Sequence, residues 1–341
     1  MTVTPLYLDH AATAPLLPQA REALLAGHAA WANPSSPHAA GRAARALLED
    51  ARARVAAALG WQGQVIFTSG ATEALAIALT RAKLPLAAVS PIEHEAVLRH
   101  AGDAIRLPVD ASGRVDPACA ALPGLVAVQQ VNNEIGVSQP LAEIAAAVRG
   151  AGGLLLADCA QGAGKIALPD ADLIAIAAHK FGGPVGTGAL LVRDWALLEP
   201  SGGQERGYRP GTEAMPGALA MATALEAGSD WLEEAARLRA MLDAAVIAAG
   251  GEVVAAGAQR IAAIAAYRLP GRSAAAQLIR LDAAGIAVSA GSACSSGSLK
   301  VSHVLAAIGM EAKAAGEVIR VSLGRETTEA DLARLLDAWL G

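Results

Sequence analysis

The order of apolar and polar positions along the chain predicts helices and strands that follow one another. Helical periodicity marks four stretches: 39–59, 73–82, 141–150 and 217–248. Short apolar runs typical of buried strands lie between them: 64–67, 86–90, 125–131, 153–157, 172–177 and 188–192. Because these elements alternate, we expect an α/β fold with a largely parallel sheet and helices on its faces.

The last third of the chain predicts a second, smaller unit. A long helical stretch over 214–249 ends at two glycines and is expected to lead into it. Beyond this stretch, two segments predict strands and one predicts a final amphipathic helix: 261–270, 317–325 and 329–340. We therefore expect a large domain over 13–240, and a small domain formed by 1–12 and 241–341.

Composition and charge favour an enzyme that acts on a small molecule. The formal net charge is -5 and there is no basic cluster, so a surface for nucleic acid is not expected. The N-terminus lacks the pattern of a signal peptide, and no apolar stretch reaches membrane length unbroken. Three widely separated cysteines show no metal-ligand spacing and favour a reducing compartment, the cytoplasm: Cys119, Cys159 and Cys294.

Three positions that follow predicted strands indicate a cofactor site. Residues 65–79 pass from strand to helix through Ser-Gly-Ala-Thr, a turn that suits a phosphate, with Thr72 as a further donor, although a plain capped helix has the same pattern. Asp158 ends an apolar strand, where it could keep a pyridinium nitrogen protonated. Lys180 follows His179 after another buried strand, and is either a surface residue or a Schiff-base lysine. Together the three positions favour a pyridoxal cofactor.

One cysteine stands in an open stretch of small and hydroxyl residues. The segment SAGSACSSGSLKVSH, residues 289–303, surrounds Cys294 with Gly, Ala and Ser rather than with the large apolar residues of a core. A thiolate is the nucleophilic form of cysteine, and a Gly/Ser-rich loop would let it approach a substrate and then an acceptor. We expect Cys294 to be reactive, whereas a structural thiol is the better interpretation of Cys119 and Cys159.

Ten segments in this order resemble the cysteine desulfurases, which are pyridoxal-phosphate enzymes with the class V aminotransferase fold: YLDHAATAP, NPSSPHAAG, FTSGATE, EHEAV, VNNEIG, DCAQGAGK, AHKFGGPVGTG, GGQERGYRPGT, GSACSSGS and IRVSLGR. The resemblance extends over nearly the whole chain. It implies a pyridoxal-phosphate-dependent transferase of fold type I, with a mainly parallel large domain and a smaller α+β domain. The cysteine loop is similar to that of the longer-loop group, which includes the nitrogen-fixation and iron–sulfur housekeeping desulfurases.

The resemblance implies how the chain would bind pyridoxal 5'-phosphate. Lys180 would form the Schiff base and later transfer protons, and Asp158 would pair with the pyridine nitrogen. Gln161 would hydrogen-bond the phenolic oxygen, and His94 would stack on the ring and assist proton transfer. The remaining implied residues contact the phosphate, the last of them across a dimer interface: Ala71, Thr72, His179 and Thr212. No metal is expected.

The resemblance also implies the substrate and the reaction. Asn133 and Arg320 would hold the substrate carboxylate, since a guanidinium group can bind a carboxylate through two hydrogen bonds. A homodimer would convert L-cysteine to L-alanine and leave a persulfide on Cys294, for transfer to an acceptor or scaffold protein in iron–sulfur cluster assembly or tRNA thiolation. The alternatives are a selenocysteine lyase, a cysteine sulfinate lyase, an aminotransferase, and a cofactor-binding scaffold without turnover.

Departures from the family pattern affect the expected cofactor retention and the choice of acceptor protein. Ala177 and Ala178 stand where the family usually has Ser-Gly, and the missing serine hydroxyl would remove one hydrogen bond to the phosphate. We expect cofactor retention to be weaker by roughly 1–3 kcal/mol. Lys300 and Val301 replace the usual Glu-Pro, and the segment 81–93 is short, which leaves the acceptor protein open.

Overall fold

The computed structural model describes residues 5–291 and 302–341. Its strands, in chain order, are β1 (Leu6–Tyr7), β2 (Gln64–Thr68), β3 (Leu86–Val89), β4 (Ile105–Arg106), β5 (Leu125–Ala127), β6 (Leu154–Asp158), β7 (Leu173–Ala177), β8 (Gly188–Val192), β9 (Glu252–Val253), β10 (Ile264–Arg268), β11 (Ile286–Ala287) and β12 (Val318–Ser322). Seven of these form one sheet in the order β2-β8-β7-β6-β5-β3-β4. Strand β8 runs antiparallel to both of its neighbours, and the other pairs of this sheet are parallel. The mainly parallel sheet predicted from the sequence is confirmed.

The helices, in chain order, are α1 (Pro18–Ala29), α2 (Ala39–Ala58), α3 (Ala71–Arg81), α4 (Glu95–Leu98), α5 (Leu141–Gly150), α6 (Met215–Glu226), α7 (Trp231–Ala248), α8 (Ala274–Ala283), α9 (His303–Ala307), α10 (Ala312–Ala315) and α11 (Glu329–Leu340). Short 3₁₀ helices occupy Pro117–Ala120, Ala178–Lys180, Trp195–Leu197 and Glu205–Gly207. Within the described ranges, no helix is long and apolar enough to cross a membrane.

Helices cover both faces of the large sheet because successive strand residues point to opposite sides. Along β2, Val65 and Phe67 pack in a core shared with α2, α5 and α6, whereas Ile66 packs in a second core with α3. Alanine fills much of both cores, which allows the helices to approach the sheet closely. In a sheet covered in this way, ligands bind beyond the carboxyl ends of the parallel strands.

The sequence prediction of one long helix over 217–248 is wrong. The structure has two helices, α6 and α7, separated by residues 227–230. Gly228 lies in this break with a φ of 70°, a conformation that an L-residue in a helix does not adopt. Strand β5 is also shorter than the predicted run 125–131, since it ends at Ala127.

A second, smaller group of elements follows the large sheet. Strand β10 pairs antiparallel with β9 and β12, and β1 pairs parallel with β11. Buried residues of α7, α8 and α11 share one core with these strands, in which Tyr267 and Trp339 are the largest side chains. Helix α7, through which the predicted boundary at residue 240 passes, packs its buried face in this core. The division into domains 13–240 and 1–12 with 241–341 stays a prediction.

Candidate active site

One cavity brings together most of the residues that the sequence identified. It opens at the carboxyl ends of β6 and β7, and nine of the predicted site residues line it: Ala71, Thr72, His94, Asn133, Asp158, Gln161, His179, Lys180 and Arg320. Thr212 is exposed and does not line this cavity. Cys294 lies outside the described residues.

Asp158 is a buried carboxylate at the end of β6. Its side chain accepts a hydrogen bond from the backbone N–H of Ala160 over 2.9 Å, which fixes its orientation. Burial raises the pKa of Asp158, while this hydrogen bond and the nearby His94 and Lys180 act in the opposite direction. A carboxylate in this position can pair with a protonated ring nitrogen, because a positive partner favours its charged form.

His94 caps the short helix α4 and is accessible from the cavity. Its Nδ1 accepts a hydrogen bond from the N–H of Ala96 over 3.1 Å. The surrounding protein, by desolvating the ring, lowers the pKa of His94. A neutral ring that accepts at Nδ1 carries its hydrogen on Nε2. His94 can therefore donate a hydrogen bond from Nε2.

The N-terminal segment supplies backbone carbonyls to two of the site residues. Lys180 donates from Nζ to the carbonyl oxygens of Ala11 and Ala12, over 2.7 and 2.8 Å. Gln161 donates from Nε2 to the same Ala11 oxygen over 2.8 Å, and its buried Oε1 has no hydrogen-bond partner in the part of the chain that the structure describes. His179 contacts the Thr13 hydroxyl through Nδ1 over 3.1 Å. These contacts place the amine and the amide side by side in the cavity wall.

Arg320 reaches the cavity from β12, in the smaller group of elements. Its guanidinium donates from Nη2 to Oδ1 of Asp9 over 2.7 Å, and from Nη1 to the backbone carbonyl of Asn133 over 2.9 Å. The Nε atom is buried and unpartnered among the described residues. The structure thus brings Arg320 and Asn133 together, but through the Asn133 backbone rather than through its amide.

The strand-to-helix turn between β2 and α3 forms another wall of the cavity. Gly70 precedes α3 with a φ of 151°, and Gly188 packs so closely on it that a methyl group at Gly188 would lie 2.6 Å from Gly70 Cα. The first-turn residue Glu73 would repel an anion, but Arg209 forms an ion pair with it over 2.9 Å. The N–H groups of the first turn, at Ala71 and Thr72, have no partner within the helix and can therefore receive a phosphate.

Comparison with known proteins decides the family. The model for "Aminotransferase class-V" matches residues 6–335. The chain belongs to the class-V aminotransferase family. It is 37% identical to the "IscS-like cysteine desulfurase" of Mycobacterium tuberculosis, over 98% of this chain and 95% of that protein. Its membership of the cysteine desulfurase branch, expected from the ten segments, is confirmed.

Solved structures similar to this chain belong to the same kind of protein as its sequence relatives. The X-ray structure of a NifS-like protein from Rickettsia africae matches with a TM-score of 0.89 and 29% identity, over 98% of each chain. The structure described as "SspA in complex with cysteine" matches with a TM-score of 0.82 and 25% identity, over 95% of this chain and 100% of that one. The expected α/β fold of the family is confirmed, and enzymes of this branch depend on pyridoxal phosphate.

The loop 201–213 carries Thr212 and is anchored by a buried carboxylate. Glu205, which is 1% exposed, accepts hydrogen bonds from both terminal nitrogens of Arg52, over 2.7 and 3.1 Å, and from the N–H of Phe67 over 3.0 Å. Glu205 and Arg206 have φ values of 47° and 56°, in the left-handed region that non-glycine residues rarely occupy. The ion pair therefore holds a strained segment in place.

Ala177 lines the cavity beside His179, at the position where the family usually has serine. It is 3% exposed and offers only a methyl group to the cavity. Ala178 is fully buried, and its Cβ lies against the backbone of Gly183. Of the two alanines that replace the usual Ser-Gly, therefore, only Ala177 faces the space that a phosphate would occupy.

Sequence reasoning missed Asp9, which orients Arg320, and Glu205, which anchors the loop of Thr212. Both residues stand inside segments that carried the resemblance, YLDHAATAP and GGQERGYRPGT. Their partners lie 311 and 153 positions away in the chain, so no local pattern indicates the contact. Cys159, which the sequence suggests to be a structural thiol, is buried. Burial raises its pKa well above the ordinary value of a thiol, and this opposes formation of the thiolate.

Proposed function

We propose that the chain is a pyridoxal-phosphate-dependent cysteine desulfurase that converts L-cysteine to L-alanine and receives the sulfur on Cys294. The observation that carries the proposal is one cavity lined by a lysine amine, a buried carboxylate and an oriented guanidinium: Lys180, Asp158 and Arg320. Membership of the desulfurase branch and the cysteine-bound neighbour support the choice of substrate.

The donor set of the cavity fits pyridoxal phosphate. Asp158 would pair with the ring nitrogen, and Gln161 would donate the second hydrogen of Nε2 to the phenolic oxygen, the first being donated to Ala11. The N–H groups of Ala71 and Thr72, with His179, would hold the phosphate at the start of α3. When bound, the cofactor supplies an electron sink for the bonds around the amino-acid α-carbon.

The residues of the chain itself bind the substrate and move protons. Arg320 would bind the carboxylate of cysteine, with Asn133 beside it, because a guanidinium group held on one side by Asp9 still presents donors on its other side. Lys180 holds or accepts a proton at Nζ, and His94 donates a hydrogen bond from Nε2. These two groups line the same cavity, so the lysine can move a proton while the histidine helps to orient the reacting molecule.

The sulfur is expected to leave on the Cys294 thiol. The balanced change is L-cysteine plus the Cys294 thiol to L-alanine plus the Cys294 persulfide. The substrate carbon–sulfur bond breaks with its electron pair remaining on carbon, which takes up a proton, and a sulfur–sulfur bond forms. The open composition of residues 289–303 supports a role of this kind.

A homodimer and a sulfur acceptor are part of the proposal. Thr212 is exposed and lies away from the cavity of its own chain, which supports a role at the site of the partner subunit. An acceptor or scaffold protein in iron–sulfur cluster assembly or tRNA thiolation would take the persulfide sulfur. The odd number and wide spacing of the cysteines support a reducing, cytoplasmic location.

The experiment that tests the proposal measures products from L-cysteine. Protein loaded with pyridoxal phosphate is incubated with L-cysteine, and alanine and sulfide are quantified for wild type, Lys180→Ala and the exposed control Lys313→Ala. We expect alanine from wild type and the control only. Alanine formed equally well by Lys180→Ala would contradict the assignment. Products from selenocysteine, cysteine sulfinate or an amino-group acceptor in place of alanine from cysteine would support the other lyases or an aminotransferase instead.

A further inference from the structure

A second cleft adjoins the candidate active site at Lys180. Its walls are formed by Trp231, by the start of β10 and by residues from four segments: 10–18, 164–165, 180–182 and 323–326. Ala11 and Lys180 line both this cleft and the active-site cavity. The second cleft and the active-site cavity therefore meet at Lys180 and at the carbonyl-bearing residue Ala11.

Lys165 is a buried cation in this second cleft. It is 8% exposed, and it forms no hydrogen bond or ion pair through its side chain with any residue in 5–291 or 302–341. Burial and then the charge of Lys180 lower the pKa of Lys165 to about 7. An ammonium group without a counterion, next to a second cation, loses its proton far more easily than an exposed lysine does.

The two lysines stand on segments that are in direct contact. Gly164, with a φ of 70°, precedes Lys165, and Phe181 follows Lys180. A methyl group at Gly164 would lie only 3.1 Å from Phe181 Cβ, so the two segments are closely packed. The N–H of Lys165 also donates to the carbonyl of Gly162 over 3.0 Å, which closes the turn that carries it. The segments that carry the two lysines are therefore held next to each other, and both lysines line the same cleft.

The other ionisable groups around Lys165 do not neutralise it. His10 lines the same cleft, and burial lowers its pKa to about 4, so it is uncharged at neutral pH. His179 is likewise uncharged, with a pKa lowered to about 4 by burial and by both lysines. Arg325 adds a further positive charge, bonded to backbone carbonyls, and the exposed Glu326 makes no ion pair with Lys165. Across the cavity, the buried Asp158 interacts with Lys180.

We propose that Lys165 and Lys180 share one positive charge, and that Lys165 holds it whenever the amine of Lys180 is neutral. In the proposed function, on which this inference rests, Lys180 must be neutral to act as nucleophile and base. Once Lys180 gives up its charge, the repulsion on Lys165 ends and Lys165 takes up a proton. That charge then opposes reprotonation of Lys180. Lys165 is a positioning residue that acts through Lys180.

A pH titration of the cofactor-loaded protein tests the proposal without measuring turnover. The visible absorbance of the bound cofactor is followed against pH for wild type, Lys165→Met, Lys165→Arg and the exposed control Lys313→Met. Methionine keeps the apolar stem without charge, so we expect the midpoint to rise by about one pH unit. Arginine restores the charge and should keep the midpoint at or below that of wild type. A Lys165→Met midpoint equal to that of wild type would overturn the proposal.

A second measurement covers the case in which Lys165→Met does not fold. Wild-type protein is labelled with ¹³C at lysine Cε, and the Lys165 resonance is assigned as the one absent from Lys165→Arg. We expect it to titrate near pH 7 without cofactor, and at higher pH once pyridoxal phosphate is bound. A midpoint that does not move on loading contradicts charge sharing. Alanine release from L-cysteine is measured separately, so failure of the desulfurase function and failure of this inference give different results.

Discussion

Arg320 and Asp9 form an ion pair in which Nη2 lies 2.7 Å from Oδ1. The contact joins a strand near the C-terminus to the N-terminal segment, and the Arg320 side chain is only 4% exposed. Because a buried guanidinium needs a fixed partner, Asp9 both compensates its charge and sets the direction of its remaining donors. The substrate-binding role proposed for Arg320 therefore depends on a residue that does not itself line the cavity.

Replacing Asp9 by asparagine should weaken substrate binding more than it slows turnover. Asparagine keeps an acceptor for Nη2 but removes the charge, and charge-assisted hydrogen bonds are roughly twice as strong as neutral ones. We expect KM for L-cysteine to rise about tenfold and kcat to change less than threefold. Steady-state alanine formation checks this, with the exposed Glu22→Gln as control. An unchanged KM would show that Asp9 does not orient Arg320.

Replacing Ala177 by serine should tighten cofactor binding. The side chain faces the cavity beside His179, where a hydroxyl could donate to a phosphate. One hydrogen bond contributes about 1 kcal/mol, which corresponds to a Kd lower by about fivefold. The matched control is Ala178→Ser, since Ala178 is buried away from the cavity and should gain no affinity. Spectrophotometric titration with pyridoxal phosphate measures the affinity. If wild type binds the cofactor as tightly as Ala177→Ser does, the weaker retention expected from the sequence is contradicted.

Replacing Glu205 by alanine should destabilise the fold. The change leaves the Arg52 guanidinium without its buried partner and removes the anchor of two residues with positive φ. We expect the free energy of unfolding to fall by about 3–5 kcal/mol, as for other broken buried ion pairs. Urea unfolding followed by circular dichroism measures it, with the exposed Glu143→Ala as control. A loss below 1 kcal/mol would mean that the loop 201–213 is held by other contacts.

Acid should destabilise the protein through His10. Its pKa in the folded state is lowered to about 4, mainly by burial, so below pH 6.5 the unfolded state binds more protons and stability falls as the pH decreases. Between pH 7.5 and pH 5 this contributes a loss of about 2 kcal/mol. His10→Gln should lose about 2 kcal/mol less over the same interval, whereas the exposed His28→Gln should behave like wild type. Equal pH dependence in all three proteins would refute this assignment.

Local patterns in the sequence account for much of the sheet and for the composition of the cavity. The run Leu173–Ala177 is apolar throughout, as expected for a strand buried on both faces, and it leads directly to His179 and Lys180. The break at Gly228 was missed because the surrounding sequence is rich in alanine, so that apolar periodicity gives little contrast between one helix and two.

Long-range electrostatic contacts could not be predicted in this way. Asp9 with Arg320, and Glu205 with Arg52, join distant parts of the chain, and only the folded backbone brings them together. Lys165 belongs to the segment DCAQGAGK, but nothing in that segment indicates that it is buried with no counterion among the residues that the structure describes. Burial and the absence of a partner are tertiary properties, whereas periodicity reports only on local structure.

The most direct test of the central claim measures whether Cys294 receives the sulfur of L-cysteine. Cofactor-loaded wild type, Cys294→Ala and the exposed-cysteine control Cys119→Ala are each given ³⁵S-labelled L-cysteine, and alanine and protein-bound ³⁵S are measured in a single turnover. We predict one persulfide label and one alanine per active site in wild type and Cys119→Ala, and neither in Cys294→Ala, with the cofactor absorbance unchanged in all three. Alanine and bound label at wild-type levels in Cys294→Ala would contradict the desulfurase mechanism proposed for this chain.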